Sequence, residues 1–151
     1  MQKIIRTTAA NEDFRKLVAQ LDHYLAVIDG NEHSFYDQYN KIENLNHVIV
    51  IYENDSAVAC GAIKEFESDS MEVKRMFTDP AYRGKGLARK VLTELEKWVA
   101  ELGYRKCVLE TGKRMKDAIE LYSRSNYQVI PNYGQYIGID NSVCFEKEIS
   151  S

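Results

Sequence analysis

Apolar positions along this chain switch between a period of two and a period of roughly 3.6, the pattern of strands alternating with helices. Lys3 to Thr7 reads as a short extended segment at or near a sheet edge. Asn11 opens a helix in which Phe14, Leu17, Val18, Leu21, Leu25 and Ile28 share a face, and Gly30 stops it. Ser34 can cap a second, short helix with Phe35, Tyr39 and Ile42 on one side. His47 to Tyr52 is an unbroken apolar run, hence a buried strand. The polar turn Glu53-Asn54-Asp55-Ser56 returns it into Ala57 to Phe66. A second polar turn, Glu67 to Ser70, leads into Met71 to Thr78, so the strands form a meander.

The second half alternates more strictly. After a loop marked by Pro80 and Tyr82, a long helix runs from Gly86 to Leu102. Leu87, Ala88, Val91, Leu92, Leu95, Trp98, Val99 and Leu102 make its apolar face, and Gly103 ends it. Arg105 to Glu110 is a strand between helices, so it should lie parallel to the strand before the long helix. Met115 to Ser125 is a shorter helix with Ala118, Ile119 and Tyr122 inward, and Asn126 follows where a left-handed residue is wanted. Tyr127 to Ile130 and Val143 to Ile149 close the chain, joined by the loop Pro131-Asn132-Tyr133-Gly134-Gln135-Tyr136. The order βα(α)βββαβαββ implies an α/β fold of α+β mixed type, a mixed central sheet with helices on both faces. At 151 residues, with neither repeat nor linker, the expectation is a single domain, 1–151.

Composition narrows the function classes. Apolar residues make up 44 % and charged residues 28 %, the balance of a globular chain. A net charge of -3 and the lack of a basic block argue against nucleic acid as a partner. The N-terminal segment has no long apolar run, and no stretch approaches the ~18 residues of a membrane helix. Cys60, Cys107 and Cys144 are odd in number, far apart and set in apolar strands. They read as buried reduced thiols of a cytoplasmic protein. His23, His33 and His47 share no metal-binding spacing, so no metal is expected.

Candidate chemistry concentrates in one stretch. A strand ending Met76-Phe77-Thr78 is followed by Asp79-Pro80-Ala81-Tyr82 and then Arg83-Gly84-Lys85-Gly86-Leu87-Ala88, which opens the long helix. A helix N-terminus carries unpaired N–H donors and a partial positive charge, so this is a cradle for an anion. Arg83, Lys85, Arg89 and Lys90 cluster around it in an otherwise acidic chain, which suggests a local phosphate site. A Walker loop needs GxxxxGK[ST], and the spacing here fails. A dinucleotide fingerprint needs a third small residue where Arg89 stands, and fails too.

What remains is Arg-x-x-Gly-x-Ala, and on it the chain resembles the GNAT superfamily, the acetyl-CoA-dependent N-acetyltransferases. Three further stretches carry the resemblance: Glu72-Val73-Lys74-Arg75-Met76-Phe77, Leu109-Glu110-Thr111-Gly112, and Ala118-Ile119-Glu120-Leu121-Tyr122 with Asn126-Tyr127 after it. Met115 stands where the superfamily often has a cofactor-holding Asn, so no role is carried over to it. The resemblance implies a GNAT-type acyl-CoA N-acyltransferase fold and acetyl-CoA as co-substrate. Arg83, Gly84, Lys85, Gly86, Leu87 and Ala88 would hold its pyrophosphate. Met76, Phe77 and Thr78 would meet its pantetheine arm where the fourth and fifth strands splay, with a backbone N–H near Met76 on the thioester oxygen. Tyr122 would be the general acid and Glu72 the base, with Glu110 second in line.

The implied activity is transfer of acetyl from acetyl-CoA to a primary amine by direct attack. A small amine is the leading acceptor, with amino acids, polyamines, aminoglycosides and other small amines all open, and a protein amine or a non-catalytic acyl-CoA-binding module is the alternative. Homodimers are common in the superfamily and are one assembly the resemblance allows. An acyl-enzyme route through Cys60 or Cys107 is a further rival. The acceptor residues would come from the variable parts: Phe35, Tyr36 and Tyr39 early, Tyr133 and Tyr136 late, with Glu110 between. Arg75 or Lys74 could bind an acceptor carboxylate. Strand alternation sends these two opposite ways, so at most one is expected to do so.

Overall fold

The computed structural model describes residues 1–29 and 45–149, the side chains of Ile28 and Asp29 excepted. Gly30, His33, Ser34, Phe35, Tyr36, Tyr39 and Ile42 lie outside the described residues. Strands β1 (Gln2–Thr7), β2 (His47–Glu53), β3 (Ser56–Glu67), β4 (Ser70–Thr78), β5 (Lys106–Gly112), β6 (Gln128–Ile130) and β7 (Ser142–Glu148) form one sheet. Its order is β1-β2-β3-β4-β5-β7-β6. The described helices are α1 (Glu12–Asp29), α2 (Leu87–Glu101) and α3 (Lys116–Arg124).

Each face of the sheet buries its own core. Along β2, Ile49 and Ile51 pack with Leu87, Val91, Leu92, Leu95 and Val99 of α2. Their neighbours Val48 and Val50 pack with Phe14, Leu17, Val18 and Leu21 of α1. Strict alternation in β2 thus divides its side chains between two helices. Asn11 caps α1, its Oδ1 accepting the Phe14 N–H at 2.8 Å. Gly103, left-handed at φ 90°, follows α2, but Leu102 is 40 % exposed rather than part of the apolar face. Asn126 (φ 72°) ends α3 in the left-handed conformation expected of it. The Tyr127 N–H then folds back onto the Tyr122 carbonyl at 3.0 Å, anchoring the helix end.

Two departures from regular sheet shape the centre of the molecule. First, β4 and β5 are parallel but pair only through Ser70–Glu72 against Lys106–Val108. Beyond Glu72 the strands part, as the splay implied by the resemblance requires. Second, β4 carries a bulge. Cys60 pairs with Phe77, yet Ala62 pairs with Lys74, so Gly61 faces both Arg75 and Met76. Arg75 absorbs the extra residue at φ 60°. Gly61 makes the room: a Cβ there would stand 2.5 Å from Met76 Sδ and 2.7 Å from Val91 Cγ1.

Candidate active site

The bulge corrects one expectation about the site. Alternation should send Lys74 and Arg75 to opposite faces. With Arg75 left-handed, both line the same cavity, and Arg75 Nη1 donates to Asp22 Oδ1 of α1 at 2.7 Å. This cavity, about 120 Å³, opens where β4 and β5 separate. Glu72, Glu110, Tyr122 and Tyr136 contribute to its wall, with Leu21 and Leu25 of α1 closing one side.

Glu72 is buried and held firmly. Its Oε2 accepts from the Tyr133 hydroxyl at 2.7 Å, and its Oε1 lies 3.7 Å from Lys74 Nζ. Tyr133 is thus a partner of Glu72, and it is absent from the cavity wall. Burial first, then the Glu72 charge, pushes the Tyr133 hydroxyl well above the usual phenol range, so it stays a donor. A one-turn 3-10 helix, Gly134–Tyr136, turns Tyr136 inward from the late loop. Glu110 accepts from Ser142 Oγ at 2.7 Å. Burial lowers the Lys74 pKa, against the opposing pull of Glu72.

A second cavity of about 450 Å³ lies on the far side of Tyr122. Met76, Phe77, Thr78, Arg83, Gly84, Gly86, Leu87 and Ala88 line it, all drawn from the glycine-rich stretch and the strand before it. Lys85 does not; it is exposed, its Nζ 5.2 Å from the Tyr82 ring centre. Gly84 and Gly86 have φ of 82° and 76°, which favours glycine at both. Gly86 is the α2 N-cap and supplies no side chain, so the first-turn N–H groups face outward without a capping oxygen. Arg83 Nε donates to the Thr78 carbonyl at 3.2 Å, which carries its guanidinium beside Tyr24 and Phe77. Among the described residues, Thr78 Oγ1 is buried without a hydrogen-bond partner. A long, partly apolar molecule ending in phosphates fits these features: an open strand edge, an orphaned hydroxyl and an uncapped helix N-terminus.

The two cavities meet. Leu21, Met76, Met115, Ala118 and Tyr122 border both. Tyr122 is only 6 % exposed, and burial, with a smaller push from Glu110, raises its pKa above the usual phenol range. Its hydroxyl is therefore a proton donor at neutral pH and not a base. Sequence reasoning missed Leu21, Asp22 and Tyr24, which reach the site from a helix some 50 positions upstream of β4. Leu21 reads only as part of a buried helix face, and Asp22 and Tyr24, half-buried beside it, carry no local signal. The expected inward position of Tyr122 and the gathering of Arg83 to Ala88 around one cavity are present, Lys85 apart. Cys60 and Cys107 are fully enclosed, and burial pushes both thiols up to about 12. No group of three or more metal-ligating side chains occurs among the described residues, and no described helix is long and apolar enough to cross a membrane.

A mixed sheet splayed between its parallel central strands, with a glycine-capped helix beside the gap, defines the acyl-CoA N-acyltransferase class. The chain belongs to the acetyltransferase (GNAT) family, whose model matches residues 10–127. The uncharacterized N-acetyltransferase YjgM of Escherichia coli is 34 % identical over 112 residues, 72 % of this chain. That match spans 66 % of the relative, just under two thirds of its length. A Klebsiella pneumoniae protein described as an acyl-CoA N-acyltransferase superposes with a TM-score of 0.83, at 28 % identity over 99 % of both chains. The PaiA N-acetyltransferase of Thermoplasma acidophilum, solved with coenzyme A, shares the fold (TM-score 0.71, 16 % identity, 98 % of this chain and 99 % of that one).

Proposed function

We propose that this chain, acting as one domain over residues 1–151, transfers acetyl from acetyl-CoA to the primary amine of a small molecule. The observation that carries the reading is the junction of two cavities at Met76 and Tyr122. One suits a long phosphorylated donor, and the other is small and lined by carboxylates. Coenzyme A in the PaiA structure supports the choice of donor.

The uncapped N–H groups at the start of α2, with Arg83, hold the pyrophosphate. Met76, Phe77 and Thr78 present the unpaired edge of β4 to the pantetheine arm, and Thr78 Oγ1 gains a partner there. Acetyl-CoA supplies an activated thioester, whose carbonyl carbon the acceptor amine attacks directly. A C–N bond forms as the C–S bond breaks. A backbone N–H near Met76 stabilises the negative charge that develops on the carbonyl oxygen. Glu72, directly or through a water, takes the proton the amine must lose, and Tyr122 gives one to the departing sulfur. Glu110 stands behind Glu72 as a second base on the same wall. The enclosed, protonated Cys60 and Cys107 do not favour an acyl-enzyme route.

Titration with acetyl-CoA, followed by thiol release across a panel of amines, tests the reading. Saturable binding with turnover on at least one small amine is expected. Tight binding with no turnover on the whole panel would instead make the chain a non-catalytic acyl-CoA module. Turnover only on protein lysines or N-termini would move the acceptor to protein amines.

A further inference from the structure

The acceptor-side cavity holds an arrangement that acetyl transfer alone does not require. Lys74 and Arg75 are adjacent on a strand, yet both line it. A regular strand would separate them. The left-handed Arg75 and the register shift opposite Gly61 bring them to one face. A left-handed backbone is unfavourable for any residue with a Cβ, and such outliers persist where the surroundings enforce them, commonly at functional sites. The outcome is also electrostatically unfavourable. The two cationic side chains are only 8 % and 5 % exposed, and Arg75 adds to the burial that lowers the Lys74 pKa. Enclosed cations are tolerated where anions answer them. Asp22 answers Arg75 and fixes its orientation at the cavity wall. Glu72 answers Lys74 as an ion pair, its Oε1 3.7 Å from the ammonium, while its Oε2 accepts from Tyr133.

We propose that the acceptor is an amino carboxylate, its carboxylate bound by Lys74 and Arg75 and its amine facing Glu72 and Glu110. This rests on the acetyl-transfer reading above. The cavity carries both signs of charge, as a zwitterion demands, and a guanidinium with an ammonium beside it is a strong carboxylate site. Polyamines and aminoglycosides are disfavoured, because their additional cations would meet Lys74 and Arg75. Acetylation converts the zwitterion into an N-acetylamino acid with the carboxylate intact, so the product keeps this contact and loses the one to Glu72.

The test compares kcat/KM for amino acids with that for their amides and for their decarboxylated amines (leucine, leucinamide and isopentylamine, for example) at equal concentrations of free amine. Acetyl-CoA binding is measured in parallel. The wild-type protein should favour the carboxylate by about tenfold or more, the worth of a charged hydrogen-bonded contact. Lys74→Met and Arg75→Gln should each lower that ratio toward one, chiefly through KM. A wild-type ratio near one, or a preference for the plain amine, overturns the proposal while leaving acetyl transfer standing. A ratio kept intact in both variants overturns the assignment to these residues. Acetyl-CoA binding with no transfer to any amine refutes the transfer reading itself. The wild-type ratio needs no variant, so it decides even where a substitution prevents folding.

Discussion

Tyr122 borders both cavities, and its environment fixes what its hydroxyl can do. Burial keeps the phenol protonated far above neutral pH. In the proposed mechanism it gives a proton to the departing sulfur and regains one from solvent. Tyr122→Phe keeps the ring contacts with Tyr127 and Phe145 and removes only that proton. The expected result is a fall in kcat of roughly 10²–10⁴-fold with acetyl-CoA affinity unchanged, read by steady-state kinetics and calorimetry. A wild-type rate would assign the proton to solvent. In the proposed mechanism Glu72 has the complementary task. Glu72→Gln should lower the rate most near neutral pH, with the deficit shrinking as pH rises and the acceptor deprotonates unaided. A deficit that is constant with pH would make Glu72 a binding residue.

At the scale of elements, the site depends on the β4 bulge, and the bulge depends on Gly61. A methyl group there would press into Met76, Val91 and Leu95, all within 3.0 Å of its position. Gly61→Ala should cost about 1–3 kcal/mol, the usual penalty of overpacking, measured as a lower urea midpoint at constant slope. An unchanged midpoint would mean that the bulge relaxes freely. This element also marks where sequence reading stopped. The elements follow from periodicity, because burial on two faces leaves its mark on every strand and helix, and the meander and the parallel β4–β5 pair follow from the connections; the seat of β7 between β5 and β6 does not. The Val73 to Phe77 run, however, reads as ordinary alternation, and a left-handed arginine has no signature in composition. Hence the opposed directions expected of Lys74 and Arg75 were wrong for a reason visible only in the backbone. Tyr133 likewise reads as an aromatic wall of the acceptor pocket, whereas its hydroxyl holds Glu72, 61 positions away. Long-range hydrogen bonds of this kind leave no local pattern.

For the molecule as a whole, the lining of the larger cavity was legible in the sequence and that of the smaller one was not, because of how each is built. The larger cavity, the proposed donor site, is walled largely by the contiguous strand end and glycine-rich turn from Met76 to Ala88. The smaller cavity, the proposed acceptor site, is lined by residues from α1, β4, β5, α3 and the late loop. The same enclosure gives the fold an alkaline limit. Burial pushes Cys60 and Cys107 from the ordinary 9.0 up to about 12, and Cys144 to about 11. Between those values the unfolded chain has released protons that the native state still holds. The native state binds more protons, so stability is intact below about pH 9 and declines as pH rises through the native values. Tyr122, Tyr127, Tyr133 and Tyr136 shift in the same direction and steepen the decline. Lys74, lowered by burial, acts with the opposite sign, but it is one group against seven. Urea midpoints should therefore fall steadily above about pH 9, by up to ~1.4 kcal/mol per pH unit for each titrating thiol. Cys60→Ala should flatten that fall while lowering stability at neutral pH through the lost packing of one sulfur and its hydrogen bond to the Arg75 carbonyl. A midpoint independent of pH up to about 11 would contradict the enclosure of these groups, and with it the tight core on which the splayed site is mounted.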